Sequence, residues 1–339
     1  MTGSLGIVVI GRNEGERLRR CLHSATRHGS PVVYVDSGST DDSVQIARDR
    51  NVEVVELEAG RPFTMALARN RGFARLLAIA PQVEWVQFVD GDCELVEGWL
   101  GAAAEVLKER RDVGAVCGRR RERRPDDSIY NRLTDMDWAG PIGEVLFSGG
   151  DVLMRTAAFR QVGGYAEDMI AGEDPEICVR IRQASWKIVR LDREMTLHDA
   201  AIHRFGQWWR RALRGGHAYA EGAYLHRNSE ERLWVRECRS IWAWGLVLPV
   251  VSLGAAGWTR GWSLLLLFLY PVWIARIAVR RRARFGDRWP DCLLYGVFCM
   301  LGKLPQMLGQ VSYLWHRLRG QRSALIEYKT AEAAGKRRG

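Results

Sequence analysis

Over the first 230 residues the chain alternates short apolar runs with stretches of helical character. Leu5–Ile10 is continuously apolar, and a helical pattern follows over Glu14–His28. Pro31–Asp36 (PVVYVD) is β-branched and leads into helical Asp42–Asp49; Val52–Leu57 reads as strand, Thr64–Ile79 as helix and Trp85–Asp90 (WVQFVD) as strand. Glu97–Arg111 and Val113–Gly118 repeat the alternation. Strands that are apolar at successive positions, rather than at every second one, are covered on both faces. The pattern therefore predicts an α/β fold, with a mostly parallel sheet, helices on both faces, right-handed crossovers and a ligand at the carboxyl edge of the strands.

The remainder of the chain is patterned differently. Ile241–Trp258 carries no charge over 18 residues; Trp262–Ala275 is a second apolar run, closed by Arg276 and resumed over Ile277–Val279. Each approaches the roughly 20 residues that cross a bilayer. A buried helical hairpin in a soluble domain is the alternative. Against it, tryptophans cluster between 234 and 289, and both flanks are basic, with Arg232, Arg236 and Arg239 before and Arg280, Arg281, Arg282 and Arg284 after. By the positive-inside rule both ends of such a hairpin are cytoplasmic. Cys292–Trp315 is interrupted by Lys303, Pro305, Gln306 and Gln310, and as a span it would carry a tail with Arg317, Arg319, Arg322, Lys336, Arg337 and Arg338 to the outside. It is expected to be interfacial or re-entrant. The expected division is an α/β domain over 1–232, a membrane region over 233–315 (hairpin 241–279, interfacial helix 292–315) and a basic tail over 316–339. The expected location is the cytoplasmic (inner) membrane, with the α/β domain on the cytoplasmic side.

Composition narrows this picture. Hydrophobic residues make up 47% of the 339, which excludes wholesale disorder. The net charge of +10 calls for an anionic partner, and the membrane-flanking arginines place much of it against acidic lipid rather than nucleic acid. The run Arg119–Arg124 reads as a solvated loop. Seven cysteines, an odd number without a C-x-x-C pair, disfavour a zinc module or disulfide scaffold and indicate a reducing compartment. The N-terminal run has no basic segment before it and meets Asn13 and Glu14 at once, unlike a signal peptide.

The chemistry-bearing residues stand where strands end. No G-x-G-x-x-G follows the first strand and no G-x-x-x-x-G-K-[ST] occurs, which disfavours a dinucleotide site and a P-loop. Asp36 closes the second strand, where an acid can accept from a ribose hydroxyl or a base N–H. Asp41 and Asp42 read as caps of the next helix. Asp90-Gly91-Asp92 closes the Trp85–Val89 strand, and two carboxylates flanking a glycine can turn toward one hard divalent cation. Gly149 and Gly150 allow the backbone to come close to a ligand, or make a plain turn. In Gly172-Glu173-Asp174-Pro175, Asp174 before a first-turn proline has the look of an N-cap, and a helix dipole would keep it ionised.

Val9-Ile10-Gly11-Arg12-Asn13-Glu14, the Val35–Ser43 stretch, Ala68-Arg69-Asn70-Arg71-Gly72, Asp90-Gly91-Asp92, Ser148-Gly149-Gly150 and Gly172-Glu173-Asp174 occur in that order. This ordered set resembles the inverting glycosyltransferases of family 2, which have the GT-A fold, and the resemblance covers roughly residues 4 to 226. It implies that Asp36 contacts the nucleobase of a nucleotide-sugar and that Arg12, Glu14 and Arg69 line the nucleotide pocket. Asp92 would hold Mg²⁺ or Mn²⁺, with Asp90 nearer the ribose or sugar, Gly149 and Gly150 beside the donor sugar, and Asp174 as the base that deprotonates the acceptor hydroxyl. His198 is the best match to a further metal ligand, with His203 as its rival. Gln207-Trp208-Trp209-Arg210-Arg211 is similar to the Q-x-x-R-W motif of processive synthases but ends in Arg211. By resemblance Glu173, Gln207, Trp208, Arg210 and Arg211 would meet acceptor or diphosphate, while the departure at Arg211 speaks against processivity. A UDP-sugar is the donor expected from family frequency, and a lipid-linked or cell-envelope glycan the expected acceptor. Two other readings compete: a nucleotidyltransferase, betrayed by pyrophosphate release, and a non-catalytic basic membrane scaffold, indifferent to Asp92→Asn and Asp174→Asn.

Overall fold

The computed structural model describes residues 5–58 and 63–320. The elements begin with β1 (Leu5–Gly11), α1 (Glu16–Thr26), β2 (Val32–Asp36), α2 (Ser43–Arg48), β3 (Glu53–Glu56), α3 (Met65–Ile79) and β4 (Trp85–Asp90). They continue with β5 (Cys93–Leu95), α4 (Trp99–Glu109), β6 (Val113–Glu122), α5 (Ile129–Asp137), β7 (Gly143–Glu144), β8 (Val152–Arg155), α6 (Thr156–Gln161), α7 (Glu173–Gln183) and β9 (Lys187–His198). The strands join one sheet in the order β3-β2-β1-β4-β8-β6-β9-β5, with β7 on β9. The β3-β2-β1-β4 half is parallel, as the apolar runs predict. β8 runs antiparallel to both β4 and β6, and β6 pairs parallel with β9, so the sheet is mixed beyond β4.

Register explains why the acids gather. Gly11 lies opposite Asp36 and Ile10 opposite Asp90, so β1, β2 and β4 end together and deliver both carboxylates to one edge. Ile7 to Ile10 are buried at consecutive positions, the signature of a strand covered on two faces. Helix α3 comes unusually close to that sheet, because a methyl group at Gly72 would stand 2.3 Å from Val8 Cγ1 and 2.9 Å from Val35 Cγ2. The glycine lets the helix lie down on β1 and β2, and Arg69, one turn earlier, is carried to the carboxyl edge. Gly72→Ala is expected to lower stability by about 1–3 kcal/mol through overpacking. Chemical denaturation would read this, together with loss of activity as Arg69 lifts out of place.

Two compact units emerge. The first comprises the chain up to Asp127 together with Asp137–Ala201; the second comprises Ser128–Met136 and the chain from Ile202 onward. The helix Phe205–Leu225 belongs to the second unit, where it packs with the C-terminal helices. The second unit holds most of α5, then α8 (Phe205–Leu225), α9 (Val235–Trp242), α10 (Leu248–Gly254), α11 (Leu269–Phe285), α12 (Trp289–Leu301) and α13 (Lys303–Leu318). α8 and α13 touch backbone to backbone through glycines: a methyl at Gly216 would stand 2.0 Å from Gln306 O, and one at Gly309 2.1 Å from Leu213 O. Small residues at a crossing give helices close van der Waals contact where no water is present to drive association. Arg132 of α5 pairs with Asp291 at 2.9 Å, and Arg281 donates to Met136 O at 2.9 Å, which ties α5 into this unit.

Among the described residues two helical stretches are long and apolar enough to cross a bilayer, Trp262–Phe285 and Trp289–Leu318. The first of them overlaps the second arm of the hairpin expected over 241–279. The first expected arm stops being helical at Gly254, so its helix reaches the required length only by including Glu237 and Arg239. The third stretch, expected to be interfacial, continues through Pro305 as α12 and α13, since a proline in the first turn of α13 needs no N–H partner. These helices present apolar side chains outward: Trp262 is 73% exposed, Phe268 66% and Val272 60%. Such a surface is unlike the polar exterior of a water-soluble bundle. Of the basic tail, 321–339 lies outside the described residues.

Candidate active site

The carboxyl edge of the first unit holds two arginines caged by carboxylates. Arg69 is 1% exposed and donates to Asp90 Oδ1 at 2.8 Å and Glu173 Oε1 at 2.7 Å, with Asp174 Oδ1 at 3.0 Å. Arg120 reaches Asp90 Oδ2 at 3.1 Å and Asp151 Oδ2 at 2.9 Å, and lies over the Trp138 ring at 4.5 Å. Burial alone would raise the pKa of Asp90, but Arg69 and Arg120 outweigh it and hold that carboxyl below the usual range. Asp90 is therefore an ionised hub between two fixed cations.

Gly150 is the position this cage cannot fill. A methyl group there would stand 2.4 Å from Arg69 Nη2 and 3.2 Å from both Asp174 Oδ2 and Asp90 Oδ2. The Ser148-Gly149-Gly150 segment is thus a close-approach site for backbone, rather than a plain turn. Gly149 lies beside Trp138, at ordinary contact distance.

Asp174 corrects one expectation. The N-cap of α7 is Gly172, at φ 86, and Asp174 sits inside the first turn with Pro175 behind it. It is not the cap, and the helix dipole does not dominate its titration. Burial pushes Asp174 up to about 8, against the downward pull of Arg69, with Glu173 and Asp90 adding to the rise. One-fifth of its side chain remains exposed, so the carboxyl faces the outside of the cage. Glu173, expected beside acceptor or diphosphate, is 1% exposed and bonded to Arg69 at 2.7 Å.

Asp92 and His198 form a second group. β5 pairs antiparallel with β9 so that Cys93 lies opposite His198. His198 Nε2 stands 3.4 Å from Asp92 Oδ2, and its Nδ1 donates to Glu122 Oε2 at 2.9 Å. Burial works to lower the imidazole pKa, but Asp92 first and Glu122 with it hold it up at about 9. Asp92, Cys93 and His198 present ligand atoms within 4.8 Å of one another. Burial pushes the Cys93 thiol far up, which leaves an oxygen and a nitrogen donor as the set at hand. Carboxylate and imidazole suit Mn²⁺, and Mg²⁺ less well. A proton held this tightly between carboxylates marks a place built for positive charge, so the residues fit a divalent cation.

The remaining expected residues are placed as follows. Asp36 ends β2, buried, with its carboxylate accepting from Tyr34 Oη at 2.8 Å, Ser39 N at 2.7 Å and Ser39 Oγ at 2.6 Å. It shapes the turn that follows the strand. Glu14 pairs with Arg17 at 2.8 Å and lies against Gly91, while the exposed Arg12 lies over the Phe63 ring at 5.9 Å. Gln207, Trp208, Arg210 and Arg211 belong to the second unit and have partners within it. Gln207 Oε1 accepts from His203 N and Arg204 N, capping α8, and Trp208 packs edge-on to Phe298. Arg210 bonds to its own helix at Gly206 O, and Arg211 to Thr134 Oγ1.

Sequence reasoning missed Arg120, Glu122 and Asp151. The run Arg119–Arg124 was expected in a solvated loop, yet β6 extends through Glu122 and buries Arg120 to 6%. The available signal was alternation, since Arg120 and Glu122 are two apart and share a face of the strand. Asp151 is fully buried, accepting from Asp90 N at 2.9 Å and Thr196 Oγ1 at 2.6 Å.

The mixed sheet, parallel from β3 to β4 and antiparallel at β8, with helices about it, has GT-A architecture, and its strand ends collect carboxylates about two arginines beside an Asp–His pair. Residues 6–163 match the model of Glycosyl transferase family 2, so the chain carries a domain of that family, and the protein is a glycosyltransferase. The N-acetylglucosaminyl-diphospho-decaprenol L-rhamnosyltransferase of Mycobacterium tuberculosis is 27% identical over a 277-residue alignment covering 63% of this chain and 89% of that protein. The succinoglycan biosynthesis protein ExoA of Rhizobium meliloti is 30% identical over 205 residues, covering 57% of this chain and 62% of that protein. Among solved structures, a mannosyltransferase of Pyrobaculum calidifontis in complex with GDP-Man and Mn²⁺ shares the fold at a TM-score of 0.63 and 18% identity, covering 93% of this chain and 88% of that one.

Proposed function

We propose that this protein is a metal-dependent, inverting glycosyltransferase that moves a sugar from a nucleotide donor to a hydroxyl of a lipid-linked cell-envelope glycan, at the cytoplasmic face of a membrane. The observation that carries this reading is the partly buried Asp174 carboxyl, one-fifth exposed, at the edge of a buried Arg69–Asp90–Glu173 cage. Arg69 and Glu173 fix its position, and burial makes it a stronger base than a free carboxylate. In the step proposed, the acceptor oxygen attacks the anomeric carbon from the face opposite the diphosphate, its proton passes to Asp174, and the bond to the diphosphate oxygen breaks. A divalent cation held by Asp92 and His198 would neutralise the charge developing on the leaving diphosphate. The acceptor class is supported by the name of the mycobacterial relative and by outward-facing apolar helices in the second unit.

Transfer of radiolabelled sugar to a polyprenyl-diphosphate-linked saccharide, counted in the organic phase, tests the acceptor. Label appearing only in water-soluble products would refute the lipid-linked reading. The site also predicts a pH effect on the cation. His198 holds its proton up to about 9 when no cation is bound, and a metal must displace it, so Mn²⁺ affinity is expected to rise as pH climbs from 6.5 toward 9. Calorimetric titrations in two buffers of different ionisation enthalpy would detect the released proton.

A further inference from the structure

His198 is held from behind by a carboxylate that the transfer step does not use. Glu122 closes β6, His198 closes β9, and the two are register partners in that parallel pair. Both are buried, at 3% and 6% exposure. Oε2 of Glu122 takes the Nδ1–H of His198 at 2.9 Å. Both carboxylate oxygens accept from Ala200 N, at 3.3 and 3.1 Å, and Oε1 also accepts from Arg124 N at 3.4 Å. The backbone therefore fixes the carboxylate, and the carboxylate fixes the ring. A histidine whose Nδ1–H is claimed by an acceptor presents Nε2 as its donor, and here Nε2 points at Asp92. Trp138 packs edge-on to the ring, with centroids 6.1 Å apart, and limits its rotation.

We propose that Glu122 is a positioning residue that fixes His198 as an Nε2 donor and thereby makes the divalent centre select Mn²⁺ over Mg²⁺. The inference rests on the reading of Asp92 and His198 as the cation's donors. Its physical basis is that a carboxylate hydrogen-bonded to the far nitrogen makes an imidazole a stronger donor and holds its direction. Mg²⁺ gains little from this, because it favours oxygen ligands and keeps its water, whereas Mn²⁺ accepts nitrogen. Glu122→Gln is the sharp substitution. An amide oxygen in the place of Oε2 still accepts Nδ1–H, but its NH₂ then stands in the place of Oε1 against Arg124 N and Ala200 N, and the negative charge behind the imidazole is lost.

The test is Mn²⁺ binding to the full-length protein in detergent, read from the electron paramagnetic resonance signal of free Mn²⁺, with Mg²⁺ affinity obtained by competition. The wild type is expected to bind Mn²⁺ at least about tenfold more tightly than Mg²⁺, and Glu122→Gln to weaken Mn²⁺ by about 10- to 100-fold while Mg²⁺ changes far less. Where Glu122→Gln does not fold, Glu122→Asp, which keeps the charge but withdraws it by one methylene, is expected to give the same selective loss. A wild type that does not prefer Mn²⁺ overturns the proposal, as do Glu122 variants that retain its Mn²⁺ affinity and Mn²⁺:Mg²⁺ ratio. His198→Asn separates the two layers. If it leaves Mn²⁺ affinity unchanged, the reading of His198 as a ligand fails and the proposal with it. If it weakens Mn²⁺ while the Glu122 variants do not, the ligand reading stands and only the role of Glu122 fails.

Discussion

Asp174→Asn is expected to reduce glycosyl transfer by about 10²- to 10⁴-fold, the contribution of a positioned general base. The amide is nearly isosteric and keeps an oxygen for Arg69, so the cage should hold its shape and nucleotide binding should persist. A variant that lost donor binding in parallel would indicate a structural rather than a chemical role. The same residue sets the pH dependence. Burial raises Asp174 to about 8, and only its ionised form accepts a proton, so kcat/KM should fall about tenfold per unit as pH drops below 8. Stability runs the opposite way to activity: the folded state binds this proton more tightly than the unfolded chain, so Asp174's contribution to stability declines as pH rises from the ordinary carboxylate range through 8. A limb at pH 4 in wild-type kinetics would contradict the buried-base account.

Arg69→Gln is expected to be the most damaging single change to stability. Arg69 is almost wholly buried, and Asp90, Glu173 and Asp174 all contact it at 3.0 Å or less. Removing one partner of a buried ionic cluster leaves uncompensated charge and costs about 3–5 kcal/mol. The deficit should shrink at acidic pH, because carboxylates that have lost their cation relieve their repulsion by taking up protons. Denaturant unfolding at pH 5 and pH 8 measures both statements; a loss below 1 kcal/mol at pH 8, or equal at the two pH values, would be incompatible with a charge cage. Activity should vanish with it, since Asp174 loses its anchor.

Much of this was legible because it depends on local pattern. The runs Leu5–Ile10, Pro31–Asp36 and Trp85–Asp90 became parallel strands, and strand-end acids are gathered by register alone. Thr64 caps α3 by accepting from Leu67 N, as a threonine before an apolar helix should. What escaped depends on partners distant in sequence. β6 runs on through Arg120 and Glu122 because β9 lies alongside it, and only then do two charged residues in a basic run become buried members of a site. The dipole argument for Asp174 failed for a related reason. The first turn of α7 carries three acidic residues, and burial beside Glu173 and Asp90 overrides a dipole effect of a few tenths to about 1 kcal/mol. The helix over the first apolar run ends at Gly254, because helices end where backbone ends them and not where charge resumes.

We propose that this carboxylate edge transfers a sugar from a nucleotide donor with the help of a divalent cation. The most direct measurement is nucleoside diphosphate release from UDP-, GDP- and dTDP-sugars by the full-length protein in detergent, with a polyprenyl-diphosphate-linked saccharide as acceptor. Mn²⁺ is compared with EDTA, and the wild type with Asp174→Asn. Release is expected from one donor class, matched by sugar transferred, abolished by EDTA and by the substitution. Transfer that survives both, or pyrophosphate released from a nucleoside triphosphate in its place, would contradict it.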